Sequence, residues 1–280
     1  MAKPPSHLQA LHKRIIKYLD DNAGPGYHSF SQITTHIFIS NWEHACDIKI
    51  LKENSVKAVL TISLNDFTPD LKKSLASTRI EQLNIAIDDT PQAEIRPHLE
   101  SAYNFIHKHV SEKRNILIHC QAGVSRSPTF VIYYLMRRLY MTNFMRSMAE
   151  TYNLIGQHNY HIEEILKFIK LRRPAVNPNP GFIWQLLVIE HNIKLIHSKM
   201  INEQATKIRE KAQKSLGENE ELAEIFMEPK VPNLQMDLRA IFHDEPAEET
   251  KPAKPEAPKP KFDNVKDFPA VVKSVLSKAA

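Results

Sequence analysis

Hydrophobic positions along this chain follow two spacings, one typical of helices and one typical of strands. Leucine and isoleucine recur at helical spacing from Leu8 to Leu19, and the cluster at 20–26, which contains glycine and proline, ends that helix. Short runs of branched apolar residues predict strands within 29–40 and over 56–63, 83–87 and 115–118. Helical patterns separate these runs and follow the last of them, so the spacing predicts an α/β fold.

The segment from His119 to Ser127 carries the most chemistry. It connects the strand at 115–118 to a helix with Pro128 in its first turn, where a missing N–H costs nothing. A tight loop between a strand and a helix N terminus collects backbone N–H groups and forms an anion site. A lone cysteine is usually a small buried hydrophobe. At a helix N terminus beside Arg126, Cys120 is instead expected to ionise and act as a nucleophile.

The stretch His119-Cys120-Gln121-Ala122-Gly123-Val124-Ser125-Arg126-Ser127 resembles the signature loop of the cysteine-dependent protein phosphatases. Its second half, from Ala122 onward, resembles the dual-specificity branch. The resemblance extends over about 27–193 and includes Pro178-Asn179-Pro180-Gly181-Phe182, for which we expect a structural role. It implies a cysteine-phosphatase fold with a central mixed sheet flanked by helices, followed here by a helical and disordered C-terminal extension.

The resemblance also implies a role for each residue of the loop. Cys120 would attack phosphorus and carry a phosphocysteine intermediate, and Arg126 would hold two phosphate oxygens with its planar fork. Backbone N–H groups would bind the phosphate, and they belong to Gln121, Ala122, Gly123, Val124, Ser125 and Arg126. His119 would order the loop and assist thiolate formation. Ser127 would stabilise the departing thiolate, cap the helix N terminus, or do both.

The general acid must come from another part of the chain. The strand at 83–87 runs into Asp88-Asp89-Thr90-Pro91, and family strands of this kind end in an acidic residue followed by a movable loop. Asp89 is the predicted acid and Asp88 is the alternative. Ordinary turn chemistry is the competing explanation for the pair, because aspartate is favoured in turns.

Composition bounds the size of the core and the classes of partner and cofactor that the chain could have. The chain has 280 residues, 42% of them hydrophobic, which allows one sizeable core plus extensions. Its two cysteines, Cys46 and Cys120, do not indicate a disulfide framework, and Cys46 is expected to pack in the core within a helical pattern at 42–51. The net charge of +5 suits anionic substrates but is too small to indicate nucleic acid. We predict no cofactor and no metal, since His158 and His161 are too isolated to form a ligand set.

The predicted organisation has four parts: an N-terminal helix and linker at 1–26, a catalytic domain at 27–195, a helical extension at 196–244, and a disordered tail at 245–280. The tail is rich in proline, lysine and glutamate. A weak apolar pattern near its end suggests a recognition segment for a protein partner. Compared with the family, extra residues lie between about 152 and 162. No membrane span or secretory signal is found, so a cytoplasmic location is predicted, with the nucleus as the alternative.

Three functions follow from these features. The first is hydrolysis of phosphotyrosine and phosphoserine or phosphothreonine in proteins. A kinase is one candidate substrate, because 12–19 loosely resembles a kinase-docking peptide; an ordinary amphipathic helix explains the same pattern. The second is an inactive phosphate-binding scaffold. The third is a phosphatase of a non-protein substrate such as a phosphoinositide or an RNA end.

Overall fold

The computed structural model of the protein describes residues 5–25, 29–149 and 161–216. The described strands are β1 (Ser31–Gln32), β2 (Ile37–Ser40), β3 (Val56–Ile62), β4 (Glu81–Ile85) and β5 (Asn115–His119). The described helices are α1 (Ser6–Asp21), α2 (Trp42–Cys46), α3 (Ile48–Glu53), α4 (Pro69–Ser77), α5 (Arg96–Ser111), α6 (Arg126–Ala149), α7 (Ile162–Lys170) and α8 (Pro180–Leu216).

The five strands form one mixed sheet in the order β1-β2-β5-β3-β4. β1 pairs antiparallel with β2, whereas β2, β5, β3 and β4 are mutually parallel. In β5, the residues from Ile116 to His119 are buried. A strand buried on both faces of a parallel sheet reads as a continuous apolar run, which explains why 115–118 shows no alternation.

One face of the sheet is covered by α2, α3 and α4. Val59 and Leu117 from the sheet pack with Leu51 and Leu75 from the helices, and the half-buried Cys46 lies against the same cluster, as expected. The helical pattern at 42–51 is split into two helices rather than one. Asp47 is the reason, because its carboxylate accepts hydrogen bonds from Lys49 N (2.8 Å) and Ile50 N (3.3 Å) and so starts a new helix.

The predicted N-terminal helix is confirmed and packs against α8. Its helical stripe is buried, namely Leu8, Leu11, Ile15 and Leu19. On its outer side, Arg14 Nε donates to Glu163 Oε2 of α7 at 2.9 Å. Because this helix lies against elements from the far end of the described chain, it contributes to the same core as they do.

The predicted α/β class, with a mixed sheet flanked by helices, is confirmed. The long α8 supplies the start of the helical extension, and the predicted four-part division of the chain stays a prediction. The extra residues expected near 152–162 lie mostly outside the described residues, as do the tail and its recognition segment. Within the described ranges, no helix combines the length and hydropathy needed to cross a bilayer.

Glu190 of α8 is a carboxylate inside the core. Its Oε1 accepts hydrogen bonds from Tyr140 Oη (3.0 Å) and His161 N (2.6 Å), and among the described residues its Oε2 has no hydrogen-bond partner. Burial raises the pKa of Glu190 from 4.5 to about 7, opposed by these two donors and by the charge of Lys194. Between about pH 4.5 and pH 7, Glu190 therefore keeps its proton in the folded protein and loses it in the unfolded chain.

We expect Glu190→Gln to stabilise the protein at and above neutral pH. As pH rises from about 4.5 to about 7, the unfolded chain loses its proton first, so wild-type stability falls; glutamine keeps the neutral form and escapes this loss. At about 1.36 kcal/mol per pH unit, the gain is on the order of 3 kcal/mol above pH 7 and vanishes below about pH 4.5. Urea unfolding as a function of pH measures it, with the exposed Glu203→Gln on the same helix as control. An equal gain in the free energy of unfolding at acidic and alkaline pH would contradict the raised pKa of Glu190.

Candidate active site

The sheet topology brings the predicted site together. Parallel strands end at the same edge of a sheet, and ligands of open α/β folds bind beyond that edge. Cys120 follows β5 at this edge, and the chain leaving β4 carries Asp88 and Asp89 to it. The loop from Cys120 to Ser125 then leads into α6, whose first residue is Arg126.

Gly123 gives the loop its shape. Its φ of 67° lies in the left-handed region, and a Cβ there would lie 2.3 Å from Ser40 O and 2.7 Å from Arg173 Nη2. Any side chain would therefore be strained and would collide with the floor of the site. The glycine in the middle of the motif is required by this close approach.

The carbonyl oxygens of five consecutive loop residues, Gln121 to Ser125, all accept hydrogen bonds from groups around the loop. The donors are Trp42 N for Gln121 (3.0 Å), Arg173 Nη2 for Ala122 (3.0 Å), Arg173 Nε for Gly123 (2.7 Å), Asn177 N for Val124 (2.9 Å), and Thr129 Oγ1 for Ser125 (2.8 Å). A trans peptide directs its C=O and N–H oppositely. The N–H groups of residues 122–126 are therefore directed toward the centre of the loop.

Cys120 lies at the bottom of this ring with 1% of its surface exposed. Its Sγ accepts hydrogen bonds from Gly123 N at 3.2 Å and from Ser127 Oγ at 3.4 Å. Because α6 begins at Arg126, Ser127 lies inside the first turn and does not occupy the N-cap position. Of the two roles considered for Ser127, its hydroxyl geometry suits contact with the sulfur.

His119 is fully buried behind the loop. Its Nδ1 lies 3.3 Å from Cys120 O and its Nε2 lies 2.8 Å from Thr61 Oγ1. Burial lowers the pKa of His119 to about 4, so the ring is neutral at physiological pH. A carbonyl can only accept, so Nδ1–H donates to Cys120 O and Nε2 accepts from the threonine hydroxyl. The ring stacks on Phe67, with centroids 5.4 Å apart, and these contacts suit a residue that orders the loop.

Asp89 reaches the loop from the opposite side. Its Oδ1 accepts hydrogen bonds from Ser125 Oγ (2.5 Å) and Asn179 Nδ2 (2.8 Å), and its Oδ2 lies 3.5 Å from Arg126 Nε. Arg126 also donates through Nη1 to Ile87 O at 3.3 Å. The exposed Asp88 instead accepts a hydrogen bond from Asp89 N at 2.8 Å, which is turn chemistry. Of the two aspartates, Asp89 is therefore the one in contact with the loop.

Sequence reasoning missed two polar residues of the site. Asn179 was assigned a structural role, and it does cap α8 by accepting from Phe182 N at 3.0 Å, but its amide also contacts Asp89. Arg173, in the segment Arg172-Arg173-Pro174, has no role in the sequence prediction. The asparagine before Pro180 is a helix-start signal, whereas nothing local indicates that Arg173 lies under the loop.

The segment that follows Asp89 rests on the start of α8. A Cβ on Gly181 would lie 2.0 Å from Pro91 O, and Gln185 Nε2 donates to Ala93 O at 2.8 Å. The Gln185 carbonyl in turn accepts a hydrogen bond from Ile95 N at 3.0 Å. The loop that the resemblance suggested would be movable is thus packed against a helix on both sides of Ala93.

No group of three or more His, Cys, Asp or Glu side chains that could hold a metal occurs within 5–25, 29–149 and 161–216. Cys46 and Cys120 are both free thiols. The donors around the loop include backbone N–H groups and the guanidinium groups of Arg126 and Arg173, a set suited to an oxyanion.

The sequence profile of the family described as "Dual specificity phosphatase, catalytic domain" matches residues 37–192, more than half of the chain. The chain belongs to this family. The match begins at β2 and ends within α8, so it contains the loop from Cys120 to Ser125, both aspartates and Asn179.

Curated proteins similar to this chain are named dual specificity protein phosphatases. Dual specificity protein phosphatase Mpk3 of Drosophila melanogaster is 32% identical over 160 residues, which is 57% of this chain and 33% of that protein. Dual specificity protein phosphatase 15 of Mus musculus is 31% identical over 156 residues, 56% of this chain and 55% of that protein. The crystal structure of the Yvh1 phosphatase domain from Chaetomium thermophilum aligns at a TM-score of 0.45 with 27% identity, covering 57% of this chain and 94% of that one. The matched region thus spans a third to about half the length of these two curated relatives.

Proposed function

We propose that the chain is a protein phosphatase that hydrolyses phosphotyrosine and phosphoserine or phosphothreonine through a phosphocysteine intermediate. The observation that carries the proposal is the loop with five carbonyls bound outside and five N–H groups directed inward above Cys120. Preorganised donors of this kind stabilise the charge that develops on a transferring phosphoryl group.

In the first step, the Cys120 thiolate attacks phosphorus in line with the leaving oxygen. The S–P bond forms as the P–O bond to the substrate breaks, and Asp89 gives its proton to the leaving phenol or alcohol. Arg126 and the N–H groups of residues 122–126 hold the three non-bridging oxygens. Asn179 and Ser125 keep the Asp89 carboxyl at the mouth of the loop.

In the second step, water attacks the phosphorus of the phosphocysteine. The Asp89 carboxylate takes a proton from that water, the S–P bond breaks, and inorganic phosphate leaves. The electron pair returns to sulfur, where the hydroxyl of Ser127 stabilises the regenerated thiolate. His119 takes no part in proton transfer, because its pKa of about 4 leaves the ring neutral and both ring nitrogens are already bound.

The two alternative functions, an inactive scaffold and a phosphatase of a non-protein substrate, fit the residues of the loop less well. An inactive scaffold would need a lost nucleophile, arginine or acid, whereas Cys120, Arg126 and Asp89 are all present. A phosphatase of phosphoinositides or RNA ends would gain from extra positive charge inside the loop. The loop side chains between Cys120 and Arg126 are uncharged, which favours a substrate with one phosphate to bind.

The test is phosphate release by the full chain from p-nitrophenyl phosphate and from phosphotyrosine, phosphoserine and phosphothreonine peptides. We expect turnover on all of them, with acid quenching during turnover trapping phosphate on Cys120, identified by peptide mass spectrometry. Tungstate binding without turnover would support the scaffold instead. Faster hydrolysis of a phosphoinositide or a 5′-phosphorylated RNA than of every peptide would support a non-protein substrate.

The partners and location are further parts of this proposal. A phosphoprotein, with kinases among the candidates, is the proposed substrate, and a protein partner is proposed for the C-terminal tail. The cytoplasm is the proposed location, with the nucleus as the alternative. The sequence features given above support each of these.

Gly181→Ala is expected to lower kcat more than it raises KM. The added Cβ must push Pro91, and with it the segment carrying Asp89, because it would otherwise lie 2.0 Å from Pro91 O. A displacement of about 1 Å in a catalytic group can cost about 10²-fold in rate. Steady-state kinetics on a phosphoserine peptide, with thermal unfolding as the check on folding, measure this. A folded variant with unchanged kcat would show that the packing of this segment on α8 does not position the acid.

A further inference from the structure

Arg173 is the largest side chain in the described core that is fully buried, with 0% of its surface exposed. It lies between α7 and α8, directly beneath the phosphate loop. Its Nε donates to Gly123 O at 2.7 Å and its Nη2 to Ala122 O at 3.0 Å. Its Nη1 donates to Ser29 O (2.6 Å), Ser29 Oγ (2.9 Å) and Ser31 Oγ (3.2 Å).

The planar guanidinium of Arg173 connects the loop to the strand side of the fold. Two of its nitrogens bind two successive carbonyls of the loop, and the third binds Ser29 and Ser31, at the start of β1. Lysine has a single nitrogen and cannot bind both carbonyls and the β1 side at once. The left-handed turn at Gly123 is thus braced from below by a residue that lies 50 positions further along the chain.

The charge of Arg173 acts on the same site. Burial lowers the pKa of Arg173 to about 10, and the negative charge of Cys120 opposes that shift. The guanidinium stays charged at neutral pH, and the attraction is mutual, because a cation favoured by a nearby anion favours that anion equally. Arg126 lies on the helix side of the loop, at the start of α6, whereas Arg173 lies on the side of the loop carbonyls.

We propose that Arg173 is a positioning residue of the phosphate site, which holds the loop's N–H groups inward and stabilises the Cys120 thiolate without touching the substrate. This inference rests on the proposed function for its catalytic consequence. Its structural consequences, oxyanion affinity and thiolate formation, are measurable without turnover.

The experiment compares Arg173→Met, which removes the charge and the fork, with Arg173→Lys, which keeps the charge alone. Arg172→Met is the matched control, since Arg172 is the neighbouring residue and lies over the Phe168 ring at 3.9 Å. The measurements on the full chain are tungstate affinity, the pH dependence of Cys120 alkylation by iodoacetamide, kcat and KM for p-nitrophenyl phosphate, and thermal unfolding. Peptide mass spectrometry separates Cys120 from Cys46, which serves as the internal reference.

We expect Arg173→Met to weaken tungstate binding and to lower kcat by up to about 100-fold, because a displacement of about 1 Å in a catalytic group can cost about 10²-fold in rate. Its alkylation midpoint should move to higher pH. Arg173→Lys should restore most of the midpoint but little of the tungstate affinity, and Arg172→Met should match the wild type. If Arg173→Met does not fold, Arg173→Lys decides, through its loss of tungstate affinity.

Two results would overturn the inference. One is a folded Arg173→Met with wild-type tungstate affinity and alkylation midpoint. The other is a loss of thermal stability alone, which would assign Arg173 a structural role only. Failure of the proposed function looks different: the wild-type chain would bind tungstate and show the Arg173-dependent midpoint, yet release no phosphate from any substrate.

Discussion

Replacing Cys120 by serine is expected to reduce phosphate release by at least about 10⁴-fold, the scale seen when a catalytic nucleophile is removed. The serine hydroxyl stays protonated, whereas the reaction needs an anionic nucleophile, and no hydrogen bond among the described residues joins this position to a general base. The neighbours of Sγ are the donors Gly123 N and Ser127 Oγ, which favour a charged sulfur but cannot remove a proton from a hydroxyl. The ring of N–H groups is unaffected by the change.

The variant should therefore keep its affinity for tungstate while losing turnover. Phosphate release from p-nitrophenyl phosphate and tungstate binding by calorimetry measure the two properties on one preparation. Cys46→Ser is the control, since Cys46 packs against the core cluster between the sheet and α2, α3 and α4. Its phosphate release and its tungstate affinity should both equal those of the wild type. Turnover that survives Cys120→Ser would rule out a phosphocysteine pathway.

Replacing Asp89 by asparagine is expected to lower kcat by about 10²- to 10⁴-fold, the usual contribution of general acid–base catalysis. Asparagine has nearly the same shape, and its carbonyl can still accept from Ser125 and Asn179. The loss then reports the missing proton. It should be larger for a phosphoserine peptide than for p-nitrophenyl phosphate, because an alkoxide leaves far less readily than nitrophenolate.

Asp88→Asn is the matched control for this change. Asp88 is exposed and bonds only to the neighbouring backbone N–H in the contacts described, so its variant should stay within about threefold of the wild type, the spread expected for a surface change. Steady-state kinetics on both substrates measure the pair. If Asp88→Asn is crippled while Asp89→Asn is active, the acid has been assigned to the wrong aspartate. If Asp89 is the acid, as proposed, substrate trapping with Asp89→Ala would identify the physiological target.

Much of the loop could be predicted from local sequence. A buried run, a cysteine, a central glycine and a proline after Ser127 define a strand, a tight turn and a helix start within about fifteen residues, and β5, Gly123 and α6 follow that order. Capping is equally local, but it was overlooked at Asp47, where one predicted helix is two. The pattern of apolar residues continues across the break, so only the capping signal distinguishes the two cases.

The sequence by itself determined the α/β class, the position of the loop and the pair of aspartates, because each depends on residues close together in the chain. Only the tertiary structure decided that Asp89 contacts Ser125, 36 residues away, and Asn179, 90 residues away. Only the tertiary structure shows that Arg173 lies beneath Gly123 and that Glu190 is buried in the core. These contacts depend on how parallel strands and their connecting segments converge at one edge of the sheet, and no periodicity within a segment encodes that convergence.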